Sequence, residues 1–126
     1  MNRIHLLFVC SRNQWRSPTA EQIYRNDARV SVRSRGTARN AKRTINADDI
    51  RWSDLILVME DKHRRRILAD FPDPSRHTPL HVLDIPDEYQ PMDPELVELI
   101  RSATEPHLDA VHQEQLRREQ LRRERP

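Results

Sequence analysis

The chain is 126 residues long with a mass of 15.0 kDa, the size of one domain that buries a core without metal or disulfide staples, which argues against two domains. Charged residues make up 33% of it and the net charge is +2; no apolar run approaches the roughly 18 to 20 residues that a bilayer crossing needs, so a membrane-spanning protein is excluded. The single cysteine, Cys10, rules out an internal disulfide and a cysteine-based metal cluster.

Residues 3–10 (RIHLLFVC) form a short, almost continuous apolar run, as in a strand buried on both faces of a parallel sheet. This start is too short and too weakly flanked for a signal peptide, which makes the cytoplasm the expected compartment. After a loop at 11–16, Ser17 and Pro18 predict a helix start, with Ser17 as the cap and Pro18 at the first helical position. Ala20, Ile23 and Tyr24 then share one face. Residues 30–34 alternate like a short strand and run into Gly36, the only glycine, which reads as a position needing backbone freedom.

Thr44–Trp52 reads as a helix and residues 54–59 (DLILVM) as another fully buried strand. Glu60–Phe71 has His63, Ile67, Leu68 and Phe71 at helical spacing, and the FPDP run at 71–74 stops it. Pro79–Ile85 predicts a fourth strand, and Asp93-Pro94-Glu95 opens a helix reaching Ala103. Strands alternating with helices predict a single α/β domain over residues 1–112. It has a four-stranded parallel sheet, helices on both faces and a ligand site at the carboxyl ends of the strands, where the loop after Val9 lies. In residues 113–126 (QEQLRREQLRRERP), Leu116 and Leu121 are five apart and share no helical stripe. A charged tail, solvated or frayed as a helix, is expected.

Charge is unevenly placed. Residues 1–43 carry ten Lys/Arg against two Asp/Glu, and residues 44–113 carry seven against fifteen. The basic front third is where an anion site is expected. Three glutamates interleaved with the tail arginines argue against a nucleic-acid partner. Among the six histidines, His77 and His81 straddle Pro79, and His107 and His112 are five apart; neither spacing makes a helical metal pair, so no metal or cofactor is expected.

The loop Cys10-Ser11-Arg12-Asn13-Gln14-Trp15-Arg16-Ser17-Pro18 joins the first strand to the first helix. Five residues between Cys10 and Arg16 can curl round a tetrahedral oxyanion, with backbone N–H groups pointing inward and the helix N-terminus adding positive potential. Arg16 can clamp two oxygens bidentately. Such surroundings favour a cysteine thiolate, which held against a bound phosphate is a nucleophile for phosphoryl transfer.

VCSRNQWRSPTAE at residues 9–21 resembles the C-x5-R-S-P phosphate loop of the low-molecular-weight protein tyrosine phosphatases. The similarity continues through Ser34-Arg35-Gly36-Thr37, Asp54–Met59 and an acid loop at Ile85-Pro86-Asp87-Glu88-Tyr89, covering roughly residues 3–108. The resemblance implies a metal-independent phosphatase acting on phosphotyrosine or a similar aryl phosphate, in a phosphorylated protein or a small molecule. Cys10 would attack phosphorus, Arg16 would hold the equatorial oxygens, and Asp87 would protonate the leaving oxygen and later activate water. Asp84, three residues earlier, competes for that acid role. The resemblance also implies that Ser17 hydrogen-bonds the thiolate, that Asn13 pins the cradle formed by Ser11, Arg12, Asn13, Gln14 and Trp15, and that Trp15 and Tyr89 wall an aromatic slot.

The chain departs from the family pattern at Arg12 (usually Gly), Trp15 (often a second Cys), Arg35 (usually Ala) and Glu88 (usually Pro). Arg12 reads as a solvated cation that assists substrate capture. A thiol-coupled arsenate reductase needs further cysteines to resolve its adduct, and the chain has none. Two alternatives stay open: a protein arginine phosphatase of the same fold, whose choice of substrate turns on the loop residue at Gln14, and a catalytically weak phosphate-binding module.

Overall fold

A computed structural model describes residues 3–125; Met1 and Asn2 at the start, and Pro126 at the end of the expected tail, lie outside it. Strands β1 (Ile4–Cys10), β2 (Val30–Gly36), β3 (Leu55–Val58) and β4 (Leu80–Val82) form one sheet in the order β2-β1-β3-β4. Every pairing is parallel, with Ile4 opposite Val30, Leu6 opposite Leu55 and Ile56 opposite Leu80. The helices are α1 (Arg16–Tyr24), α2 (Ala47–Trp52), α3 (Asp61–Asp70), α4 (Pro72–Ser75) and α5 (Pro94–Arg123).

The two-residue period of the strands divides the core. Ile4, Leu6, Phe8, Leu55 and Leu57 point to one face and pack on Ala20 and Tyr24 of α1 and on Leu96, Ile100 and Leu108 of α5. Leu7, Val9, Ile56 and Val58 point to the other and meet Ile50 of α2 and Ile67 of α3. Both faces of β1 and β3 are therefore dry, which is why their sequences are continuous apolar runs. At the carboxyl end of this sheet, Cys10 and Met59 mark the rim on which the site is built.

Several local expectations are corrected. Ser17 does not cap α1; the helix starts two residues earlier than expected, at Arg16, after Trp15, and Pro18 occupies its third position. The Ser17 hydroxyl is committed to the loop instead, and Pro18 still costs no bond because the first turn has no acceptor for its N–H. The second helix begins at Ala47, not Thr44, because Asn46 and Asp49 form a reciprocal capping box there, while Thr44 bridges to Gly36. The fourth strand is limited to Leu80–Val82, and the proline-rich stop after α3 is itself one short helix, α4, with Pro72 in its first turn.

Gly36 is corrected in a different way. Its φ is not positive, so backbone freedom is not what the position needs. A Cβ there would stand 2.5 Å from the Ser11 carbonyl oxygen and 2.6 Å from the Ala41 Cβ. Glycine is required for close approach of the 37–43 segment to the loop after β1.

Asp93 caps α5 by accepting from the Glu95 amide at 2.9 Å. The helix buries Leu96, Ile100, Thr104 and Leu108 at four-residue spacing, contains Pro106, and continues to Arg123 without a break. No helix among the described residues is long and apolar enough to cross a membrane.

Candidate active site

The loop between β1 and α1 curls over the carboxyl end of the sheet. Its one left-handed residue is Asn13, with φ 56°, a conformation asparagine tolerates better than most side chains. Arg12 is not in that region, so an arginine fits where the resembled family places glycine. Asn13 is buried and fully satisfied. Its amide nitrogen donates to Ser17 Oγ and to Ser34 Oγ, each at 3.0 Å, and its carbonyl oxygen accepts from Arg43 Nε at 3.2 Å. Arg43 also donates to Ser34 Oγ at 2.8 Å and to Glu21 at 2.7 Å, and the Ser34 hydroxyl donates to Glu21. This network holds the outer turn of the loop.

Cys10, 3% exposed, ends β1 with its Sγ 2.9 Å from Ser17 Oγ. The Ser17 hydroxyl already accepts from Asn13, so its single proton is free to be donated toward the sulfur, with the Arg35 carbonyl at 3.3 Å as the other acceptor.

Arg16, only 2% exposed, is held from behind. Its Nη1 donates to Glu60 Oε2 at 2.6 Å and to the Ile85 carbonyl at 2.8 Å. Nε lies 3.7 Å from Asp87 Oδ1. The rest of the guanidinium edge is left to face the cavity. Partial burial pushes the Glu60 carboxyl up, but the hydrogen bond and charge of Arg16 outweigh this and hold it below its ordinary range.

His63 grips the other end of the loop. Its Nδ1 accepts from the Glu60 amide at 3.0 Å, so the ring proton sits on Nε2, which donates to Ser11 Oγ at 2.8 Å. Burial first, and the charge of Arg16 second, push this imidazole down to about 4. The N-terminal turn of α3 thus fastens both Ser11 and Arg16.

Together these groups surround a cavity of about 340 Å³ lined by Cys10, Ser11, Arg12, Gln14, Trp15, Arg16, Lys62 and Asp87. Trp15 is 38% exposed at its rim rather than in the core. Of the residues singled out from the sequence, Asn13 and Ser17 lie behind the cavity wall as supports. Tyr89 is not brought to the cavity; it packs on the core under the acid loop, with its hydroxyl 3.4 Å from Glu95. Asp84 is exposed two residues beyond the fourth strand, with φ 57°, and does not line the cavity. Arg35 turns away to Asp49 at 3.1 Å.

Glu60, Lys62, His63 and the Ile85 carbonyl were not legible as site groups. Their signal is topological: Glu60 follows Met59 at the carboxyl end of a central strand, where ligands of such sheets sit.

No family model matches the chain, and no curated protein matches it. Solved structures do resemble it. A low-molecular-weight phosphotyrosine phosphatase from Vibrio cholerae superposes with a TM-score of 0.71 at 20% identity, covering 88% of this chain and 98% of that one. The tyrosine phosphatase Wzb from Escherichia coli, in complex with phosphate, gives 0.68 at 20% identity, with 86% and 99% covered. The fold is that of the low-molecular-weight protein tyrosine phosphatases. The YwlE arginine phosphatase from Geobacillus stearothermophilus shares it, with a TM-score of 0.57 at 23% identity over 98% of this chain and 99% of that one.

Proposed function

We propose that the chain is a phosphatase that hydrolyses phosphotyrosine or a similar aryl phosphomonoester through a cysteinyl-phosphate intermediate. The observation that carries this reading is the convergence of Cys10 Sγ, the free edge of the Arg16 guanidinium and the Asp87 carboxylate on one cavity. The N-terminus of α1 and the loop amides add positive potential where a phosphoryl group would sit. These fixed donors and Arg16 meet the charge of the transferring group without calling on a metal.

In the first step the Cys10 thiolate attacks phosphorus. An S–P bond forms, the P–O bond to the leaving group breaks, and the Asp87 carboxyl gives its proton to the departing oxygen. In the second step water attacks the same phosphorus. The Asp87 carboxylate takes a proton from that water, the S–P bond breaks, and inorganic phosphate leaves with the thiolate restored. Ser17 stabilises the thiolate in both the starting and the final state, and Arg16 holds the equatorial oxygens throughout. Trp15 at the rim supplies an aromatic surface suited to an aryl leaving group. The substrate is a phosphorylated protein or a small aryl phosphate, and the expected site of action is the cytoplasm.

The test is hydrolysis of para-nitrophenyl phosphate from mildly acidic to neutral pH, with chelator present, by the parent and by Cys10→Ser. Chelator-resistant turnover that the substitution abolishes supports the reading. Absence of turnover in the parent, with phosphate still protecting Cys10 from alkylation, selects a phosphate-binding module instead. A second reading, an arginine phosphatase, is favoured by the extent of the match to the YwlE fold. Competition between phosphoarginine and phosphotyrosine, with Gln14 substituted at the cavity wall, separates the two.

A further inference from the structure

The phosphoryl pocket has more positive charge around it than one phosphoryl group calls for. Arg16 and the loop amides meet the phosphoryl oxygens, and Glu60 at 2.6 Å and Asp87 at 3.7 Å already offset Arg16. Outside that balance stand Arg12 on the cavity wall and Arg39 and Lys42 on segment 37–43, all exposed. Segment 37–43 is fastened to the loop by backbone bonds, Ala38 N–H to Ser11 O at 2.9 Å and Lys42 N–H to Arg12 O at 3.0 Å. A further bond from Ala41 N–H to Ala38 O, at 3.0 Å, closes the turn. The three cations are therefore carried on one fixed ledge.

Among the described residues, none of the three side chains has an acidic partner. Several surface arginines on the helices do have local acidic partners. Arg65 and Arg66 of α3 meet Asp61 and Asp70, and Arg117 and Arg118 of α5 meet Glu114. Like charges held together without counter-charge repel, a cost that an anionic ligand removes.

The cavity wall also bears Asp87, and next to it in the chain Asp84 and Glu88 are exposed on the same connection. A uniform polyanion such as nucleic acid would meet repulsion there, whereas a peptide can place its acids on one side only.

We infer that the ledge of Arg12, Arg39 and Lys42 selects polypeptide substrates whose phosphorylated residue is flanked by acidic side chains. This rests on the phosphatase reading for its chemistry, yet the docking it describes is measurable without turnover.

Fluorescent phosphotyrosine peptides with acidic, neutral or basic flanks are titrated against the full-length Cys10→Ser protein at low and high salt. The acidic peptide is expected to bind about five- to tenfold more tightly than the neutral one, from two or three exposed ion pairs, with the advantage shrinking at high salt. Arg39→Gln with Lys42→Gln should erase the advantage. Arg39→Glu with Lys42→Glu should transfer it to the basic peptide, which a misfolded protein could not do. Equal affinity for all three peptides, no binding by any of them, or an acidic preference that survives both double substitutions overturns the inference. So does a 5′-phosphorylated single-stranded oligonucleotide of matched charge that competes as well as the acidic peptide. Turnover of para-nitrophenyl phosphate by the parent, measured alongside, reports separately on the phosphatase reading, since Arg39 and Lys42 do not line the cavity.

Discussion

Glu60 Oε2 lies 2.6 Å from Nη1 of the buried Arg16, and the residue that bears it is the N-cap of α3. One side chain thereby ties the anion clamp of the first loop to the end of a central strand. The pair orients the guanidinium and lowers its net positive charge before any ligand arrives. Glu60→Gln keeps the shape and removes the charge. The turnover number of this variant for para-nitrophenyl phosphate is expected to fall about 10- to 100-fold as Arg16 loses its fixed orientation. Inorganic phosphate should raise its melting temperature by more than it raises the parent's, because the unbalanced cation gains more from an anion. Parallel phosphate-dependent melting and steady-state kinetics check both halves; an equal phosphate effect in the two proteins would count against the assignment.

Asp87 and Asp84 stand three positions apart in the chain but face different surroundings. Both are exposed, but only Asp87 lines the cavity; Asp84 has φ 57°, a conformation asparagine also accepts. Asp87→Asn is expected to lower turnover about 100- to 1,000-fold, in the range of a lost general acid. Asp84→Asn should stay near the parent. The deficit of Asp87→Asn should shrink with substrates whose leaving group is a strong acid in its own right, since such groups depart without a proton. A leaving-group series measured on both variants decides the matter.

His63 gives stability a pH dependence of known sign. In the folded chain its imidazole is pushed down to about 4 from an ordinary value of 6.5, so between these values the unfolded chain binds the extra proton and the folded one does not. Stability from the neutral His63 is complete above about 6.5 and is lost as the pH falls toward 4. Protonation would also break the acceptance from the Glu60 amide and bring a charge beside Arg16. Denaturant midpoints should drop across this window in the parent, and His63→Gln should flatten that part of the profile. An unchanged slope in the variant would remove His63 as the cause.

Gly36 has room for no side chain. Gly36→Ala sets a methyl group 2.5 Å from the Ser11 carbonyl oxygen, so either the loop after β1 or segment 37–43 must retreat. The expected cost is about 2 to 3 kcal/mol of folding stability, with weaker phosphate binding because Ser11 belongs to the cavity wall. Chemical denaturation and phosphate titration of the variant measure the two effects.

The sequence by itself determined the layers. Apolar runs at 3–10 and 54–59 become strands only if both faces are covered, and the intervening helical segments supply the cover. The Cys10-to-Arg16 spacing placed the anion loop, because a loop after a central parallel strand and before a helix is a local arrangement. What only the tertiary structure decided depends on partners distant in the chain. Glu60 and the Ile85 carbonyl reach Arg16 across 44 and 69 residues, and His63 reaches Ser11 across 52. No spacing rule carries such pairings. Ser17 shows the same limit on a smaller scale: Ser-Pro reads as a helix cap, but its hydroxyl goes to Cys10 and Asn13. Gly36 reads as a flexible position and is instead a crowded one. In each case a local preference yielded to a buried polar group or a close backbone approach that had to be satisfied in three dimensions.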